Sequence, residues 1–500
     1  MEINFENKTV SAFREIYHQT KRSQESTESV VPDTDDDIGK IASVQTAVML
    51  KSKDVTARGV LISGEACASI VYITESQEKV AFVQLTKAFS IEYEIPDISS
   101  DAVAQISLNI VSCESRVVNP RKVSVTFEIS GELSCYMREN ITAECNLPDE
   151  YKEMLHAKYD STELILIDAA CEKTFSINEQ FAFPSGKPSP SRIISQQVDY
   201  VVTDSQLIGS KIIFKGNVNV GLSYLSDEVN YPVKTEFTTP FSQIVDIGCE
   251  SLEHCSINIE LTSAYFEIIN TISNEKALDT ELHAVMQLVS YSKQNLCYVS
   301  DTYSNKMPAE CIVETKQFNL VSGIQKLKLI SDERINVADD CSDVLSAFVD
   351  ISDISQEQSK LRVTVGINII YRDSNGLLSA VRRMVNMEGE ATTSSLRING
   401  SRLCDIYLRP DGQFIDGHLS VELSYLVCSS VEIKQVTAVK LDEEACFELS
   451  RYPSVTLVKV EKESLWELAK TYHSSIEEIK AYNDLEDGVE GKLLLIPKAV

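Results

Sequence analysis

Basic residues are scarce in this chain: 46 Lys and Arg stand against 75 Asp and Glu, a net charge of -29 over 500 residues. That balance disfavours binding to phosphate backbones or anionic lipid unless a local basic patch overrides it. The pair Arg382 and Arg383 is too small to do so, so nucleic acid and direct membrane insertion are not expected. Runs of about 18 apolar residues, which a membrane-spanning helix requires, are absent. The stretch MEINFENKTVSAFREIYHQ has neither the basic flank nor the apolar core of a secretory signal, so a soluble, cytosolic protein is expected. Thirteen cysteines include no CxxC pair, and their odd number leaves at least one unpaired within a monomer. Cys67 and Cys135 lie in alternating apolar segments, where a reduced thiol acts as a small hydrophobe.

Chemical signatures are missing as well. The six histidines (His18, His156, His254, His283, His418 and His473) form no HExxH and no helix-spaced pair that would hold zinc. No phosphate loop or GxGxxG fingerprint is present, so no metal and no cofactor are expected. His254 and Cys255 are adjacent, but neighbours on a strand point to opposite faces. Acid pairs such as Asp339 and Asp340 fit a solvated turn. No catalytic residue is assigned, and the chain is read as a non-enzyme. With 43% hydrophobic residues, 18 Gly and 13 Pro, the composition is that of folded globular material. The length implies roughly three or four domains at about 150 residues each.

What the chain does contain is a strand pattern written three times: ISGEACASIVY ending at Tyr72, FKGNVNVGLSY ending at Tyr224 and LRVTVGINIIY ending at Tyr371. Alternation places Ile62, Gly64, Ala66, Ala68, Ile70 and Tyr72 on one face, and Phe214, Gly216, Val218, Val220, Leu222 and Tyr224 on the matching face. The tyrosines are 152 and 147 residues apart. Phe89 and Phe241 each follow their tyrosine by 17 residues, where the third copy has Glu388 and also Val363 in place of the glycine. A second strand recurs with ends at Tyr136, Tyr291 and Tyr425. Divergent tandem β domains, mainly β and sandwich-like, follow from these repeats.

The expected divisions are a helical or flexible leader (1–30, with Phe13, Ile16 and Tyr17 on one helical face), β-rich domains at 31–182, 193–330 and 331–445, and a tail at 452–500. FPSGKPSPSR, Phe183 to Arg192, has the composition of a linker. From Tyr452 onward the order is strand, helix, helix, strand. Leu457 to Val460 start a strand, Ser464 caps a helix carrying Leu465, Leu468, Ala469 and Tyr472, and a second helix runs from near Ser475 to Asn483. Gly488 and Gly491 then lead into LLLIP, closed by Pro497.

This tail resembles a LysM domain, the small βααβ module that binds N-acetylglucosamine glycans in many relatives. Leu465 and Trp466, Ala469, Tyr472, Asn483, Gly491, Ile496 and Pro497 carry the likeness. The resemblance places a ligand groove between 461–465 and 485–490. The glycine, aspartate and threonine usual in the first loop are here Lys462, Glu463 and Ser464, which removes a permissive glycine from the sugar approach. The residues expected to bind a partner are Lys462, Glu463, Ser464, Leu465, Leu485, Gly488, Val489 and Glu490. Trp466, beside Leu465, reads as core in preference to a ligand platform.

Repeated β domains, the segment VVPDTDDDIGKI at 30–41 and a terminal LysM together resemble the clostridial spore-morphogenesis proteins with SPOCS domains. That resemblance implies a scaffold or adaptor in spore coat assembly and forespore engulfment, placed in the mother-cell cytoplasm at the forespore surface and later in the coat. It implies the spore coat morphogenetic ATPase as partner of the LysM region, with other coat proteins as further partners. Peptidoglycan or chitin-type glycan binding is the alternative.

Overall fold

Period-two alternation becomes strand along most of the computed structural model, which describes all residues except 250, 273–274, 446, 449–450, 452, 484–491 and 499–500. Eighteen strands fall into three units of six with the same order. The first unit comprises β2 (Glu6–Val30), β3 (Ile38–Thr56), β4 (Gly59–Thr74), β5 (Val80–Glu94), β6 (Val103–Asn119) and β7 (Lys122–Asn146). The second comprises β8 (Leu155–Ala182), β9 (Arg192–Ile208), β10 (Lys211–Leu225), β11 (Val233–Asp246), β12 (His254–Asn270) and β13 (Lys276–Ser304). The third comprises β14 (Ala309–Asn336), β15 (Cys341–Glu357), β16 (Lys360–Asp373), β17 (Leu378–Glu390), β18 (Leu396–Asp411) and β19 (Phe414–Leu441), with the short β1 (Glu2–Asn4) added to the edge of β19.

In each unit the middle strands form an antiparallel meander, β3-β4-β5, β9-β10-β11 or β15-β16-β17. The first and last two strands form a second antiparallel group: β7 pairs with both β2 and β6, β13 with β8 and β12, β19 with β14 and β18. The two sheets face each other over apolar cores, as the alternation predicts for a sandwich. Strand pairing therefore places 155–182 with the second unit and 309–336 with the third, although sequence divisions assign 155–182 to the first domain and most of 309–336 to the second.

Residues 6–30 are a strand, which corrects the expected helical or flexible leader. Phe13, Ile16 and Tyr17 have helix-like spacing because a β-bulge between Glu15 and Tyr17 inserts an extra residue and breaks the alternation.

The repeated tyrosines mark two structural positions. Tyr72 and Tyr224 are buried, and each hydroxyl donates to the carbonyl 36 residues earlier, Asp36 and Pro188, at 2.9 Å. Each hydroxyl therefore pins the segment that crosses from one sheet to the other, for about 1 kcal/mol net per bond. FPSGKPSPSR lies on that crossing. Pro188 is held by Tyr224, Ser191 N–H donates to Leu225 O, and Phe183 packs edge-on against Tyr224. It is a fixed connection within the second unit, and the expected inter-domain linker is corrected accordingly.

Tyr136 and Tyr291 mark where the three-stranded sheet narrows: they pair with Val103 and His254, the first residues of β6 and β12. Tyr425 pairs with Ile398, near the start of β18. Beyond these tyrosines β2/β7, β8/β13 and β14/β19 continue as two-stranded ribbons, the first two bridged at Phe13 and Ile167 and the third joined by β1 at its tip.

A two-stranded ribbon is marginal in water on its own. These three pack together: Ala12 and Ala143 from the first, Leu164, Leu166 and Leu296 from the second, and Leu320 and Ile433 from the third form one buried cluster. The meanders also meet, with Ala42, Val71 and Phe82 of the first unit, Ile194 of the second, and Phe348, Ile370 and Ala380 of the third in a shared cluster. The three units thus close on each other at two levels.

Polar contacts set the junctions. Gln287 of the second unit accepts from Ile106 N–H and donates to Ile106 O, both at 2.7 Å, satisfying an edge-strand residue of the first. Arg397 of the third unit makes a two-pronged ion pair with Glu15 of the first, both contacts 2.7 Å. The acidic run is used internally, with Asp37 paired to Arg121 at 2.7 Å, Asp36 to Lys79 at 2.5 Å and Asp35 to Arg192 of the second unit at 3.0 Å.

Candidate functional site

After the third unit the pattern changes to β20 (Val455–Lys459), α1 (Leu465–Thr471), α2 (Ile476–Asn483) and β21 (Leu493–Pro497), the βααβ order expected from the sequence. Ser464 caps α1 with a complete capping box: its hydroxyl accepts from Glu467 N–H, and the Glu467 carboxylate accepts from Ser464 N–H. Leu468, Ala469, Ile479, Leu494 and Ile496 are buried between the helices and the two-stranded sheet.

The module sits at the tip of the β8/β13 ribbon. Tyr303 from β13 is part of the module's own core, and its hydroxyl donates to Ser474 O at 2.9 Å. Trp466 lies edge-on to Tyr303, with ring centroids 4.8 Å apart, and His156 stacks on Tyr303 at 4.9 Å. The Trp466 indole N–H donates to Asp301 Oδ2 at 2.7 Å, and Lys470 Nζ pairs with the same carboxylate at 2.7 and 2.8 Å. Partial burial opposes the charge on Asp301, but the hydrogen bonds from Lys470 and Trp466 and the lysine charge hold its carboxyl below the ordinary range. Burial in turn pushes the His156 imidazole below its usual value. Between module and trunk lies an open cleft of about 620 Å³, lined by Tyr159, His156 and Lys158 on the ribbon side and Trp466 and Glu477 on the module side.

Of the residues expected to bind a partner, Lys462, Glu463 and Ser464 are exposed, and Leu465 is half-buried against the module's core. Leu485, Gly488, Val489 and Glu490 lie outside the described residues. Glu463 turns back on its own loop, accepting from Glu461 N–H and Lys462 N–H at 3.0 Å each, and the backbone N–H groups of Glu463 itself, Glu461 and Lys462 lower its carboxyl pKa. The expected first loop is therefore closed on itself by the Glu463 carboxylate. The partnership of Trp466 with Asp301 and Tyr303 was invisible to sequence reasoning, because no local signal links residues 165 positions apart.

Elsewhere the geometry offers little chemistry. His254 stacks on Tyr291 at 4.6 Å while Cys255 donates to Ser205 Oγ at 3.5 Å, so the neighbours do point apart. Burial raises the Cys255 thiol above its usual pKa, opposite to what an activated nucleophile needs. Asp339, Asp340, Arg382 and Arg383 are exposed. Among the described residues no group of three or more His, Cys, Asp or Glu is placed to hold a metal, and no helix is long and apolar enough to cross a membrane.

No curated protein and no solved structure matches the chain. A family model described as SipL, SPOCS domain, matches residues 37–118 and 190–269. These segments correspond to the meander and the following strand, β3 to β6 in the first unit and β9 to β12 in the second. The chain therefore carries a match to the SipL SPOCS domain in equivalent places in its first two units.

Proposed function

We propose that this protein is a non-enzymatic adaptor in spore envelope assembly and forespore engulfment, and that its C-terminal module, a LysM-like βααβ fold, binds the coat morphogenetic ATPase. The SPOCS match gives the sporulation-related role. The resemblance of the repeated β domains and the tail together to the SPOCS spore-morphogenesis proteins supports the choice of partner and a place at the forespore surface in the mother cell, and later in the coat, with other coat proteins as further partners. The single observation that carries a protein ligand over a glycan is the use of the module's aromatic and loop groups. Trp466 is held against Tyr303 and Asp301, and Glu463 is folded onto its own loop, so the indole N–H and the carboxylate are already engaged within the protein.

The test is a titration of the full-length chain against the purified coat ATPase and, separately, against chitin oligomers. Saturable binding to the ATPase without binding to the oligomers is expected. Saturable sugar binding without ATPase binding would replace the adaptor reading by the glycan-binding one.

A further inference from the structure

The outer face of the C-terminal two-stranded sheet is apolar and exposed. Val455 is 39% exposed, Leu457 61%, Leu493 64% and Leu495 42%, whereas Leu494 and Ile496 on the inner face are each 1% exposed. Four large apolar side chains on ten strand residues make a contiguous exposed patch, which in soluble proteins marks interaction surfaces. The docking of α1 through Trp466 and Lys470 leaves this face free of the trunk contact, because it lies on the side of the sheet away from the helices.

The backbone specifies the shape of what fits. Leu495 N–H donates to Asn483 Oδ1 at 2.7 Å and Asn483 Nδ2 donates to Leu495 O at 2.6 Å, so that edge of the sheet is capped by a side chain. Leu457 lies opposite Leu495 in the register. In an antiparallel pair whose one member turns its backbone groups outward, the other does the same. The N–H and C=O of Leu457, and by alternation those of Val455 and Lys459, therefore point off the free edge of β20. Among the described residues β20 has no other strand partner. The same three residues thus present unpaired backbone groups and outward side chains. The sole charged side chain on the outer face of these two strands is Lys459, a positive group in a chain of net charge -29.

We infer that β20 is the docking edge for an extended segment of a partner protein, which adds as a strand beside Val455–Lys459, is apolar at alternate positions along Leu457, and carries an acidic residue next to Lys459. Main-chain bonds would supply affinity, and the alternate apolar contacts and the Lys459 charge would supply specificity. This rests on the reading of the module as the partner-binding element and locates the contact on the sheet edge instead of the 461–465 loop.

The experiment uses the full-length chain, with the purified coat ATPase as probe. Leu457→Pro removes an outward N–H that no described strand uses, a substitution edge strands tolerate. It should weaken binding by about tenfold or more, as loss of a central contact does. Lys459→Glu should weaken binding about threefold, with a reduced salt dependence, as for a charge at the rim. Unchanged circular dichroism and thermal unfolding show that each variant is folded, and Leu457→Asp serves in place of Leu457→Pro if the proline variant is not. Wild-type affinity in the folded variants, with binding lost instead in Glu463→Lys, would overturn the edge assignment while keeping the adaptor reading. No binding by the unaltered chain would overturn that reading, and the edge assignment with it. A dimer of the unaltered chain by light scattering that Leu457→Pro converts to monomer would make the occupant a second copy, which also overturns the proposal.

Discussion

The trunk and the C-terminal module are held in place in different ways. The three units of the trunk share two apolar clusters, one where the ribbons meet and one where the meanders meet, so each unit completes the burial of the others. The module keeps a small core of its own and touches the trunk through a few side chains around Tyr303 and Asp301. The difference teaches that the repeats are not independent beads offering several weak contacts. They form one closed body, and the element we propose as the partner-binding one is the module at the ribbon tip.

The sharpest way to break that comparison is to attack the shared ribbon core. Leu164 is fully buried there, and Leu164→Ala should cost about 2–5 kcal/mol. Chemical denaturation followed by tyrosine fluorescence should show the whole trunk shifting in one transition. A separate early transition confined to the second unit would show that the units are autonomous after all.

A second comparison lies within the trunk. Gly64 sits across from Phe89, and Gly216 across from Phe241. A Cβ at Gly64 would come within 2.5 Å of the Phe89 ring and 2.7 Å of Met49 O. In the third unit the same place is filled by Val363 across from Met387, both buried. Gly64→Val should therefore destabilise by about 1–3 kcal/mol, as overpacking does. Phe89→Met in the same chain should recover part of that loss, because the two positions are coupled by contact. Additive effects in the double-mutant cycle would remove the steric explanation.

The module's attachment should respond on a smaller scale. Asp301→Asn keeps a hydrogen-bond acceptor but removes the charge that pairs with Lys470, and should loosen docking by about 1 kcal/mol. Hydrogen exchange at the Tyr303 ribbon should accelerate while the ribbon core stays protected. Equal acceleration in both would deny the module its separate attachment.

The smallest effect is on pH. Glu260 of the second unit is half-buried at the junction with the first; it accepts from Asn258 at 3.0 Å. Desolvation is the main cause that pushes its carboxyl up to about 7, against hydrogen bonds from Asn258, Leu108 and Ser107 and the Lys53 charge. The folded state thus favours the protonated form. The group's contribution is fully present below the unfolded carboxyl range, about 4.5, and is lost as pH rises through about 7. Trunk stability should decline over that window, and Glu260→Gln should flatten the decline. An identical pH profile in the variant would show that another group is responsible.

Much of this architecture is legible in the sequence, for physical reasons. Strand alternation records which face is buried, so the Tyr72, Tyr224 and Tyr371 strands stand out. The 17-residue spacing to Phe89 and Phe241 records a cross-strand pair in a hairpin of fixed turn length. The third copy hides its counterpart because its turn is one residue shorter: Tyr371 pairs with Ser379, eight residues on, whereas Tyr72 pairs with Ala81 and Tyr224 with Val233, nine on. Met387 then falls one place before the position where Glu388 is found. In the module, Ser464 and Glu467 announce the helix start because a capping box is local. The convergence of Ala12, Leu166 and Ile433, and the grip of Asp301 on Trp466, are long-range contacts without a local pattern. The same holds for 6–30, whose bulge imitates helical spacing until its partner β7 is known.

The central claim is that one rigid trunk presents one partner-binding module. Hydrogen–deuterium exchange of the full-length protein, with and without the coat ATPase, tests it most directly. The account predicts new protection confined to the C-terminal module, strongest along Val455–Lys459, with the three units unchanged. Protection spread over the meanders of the trunk, with the module unaffected, would contradict it.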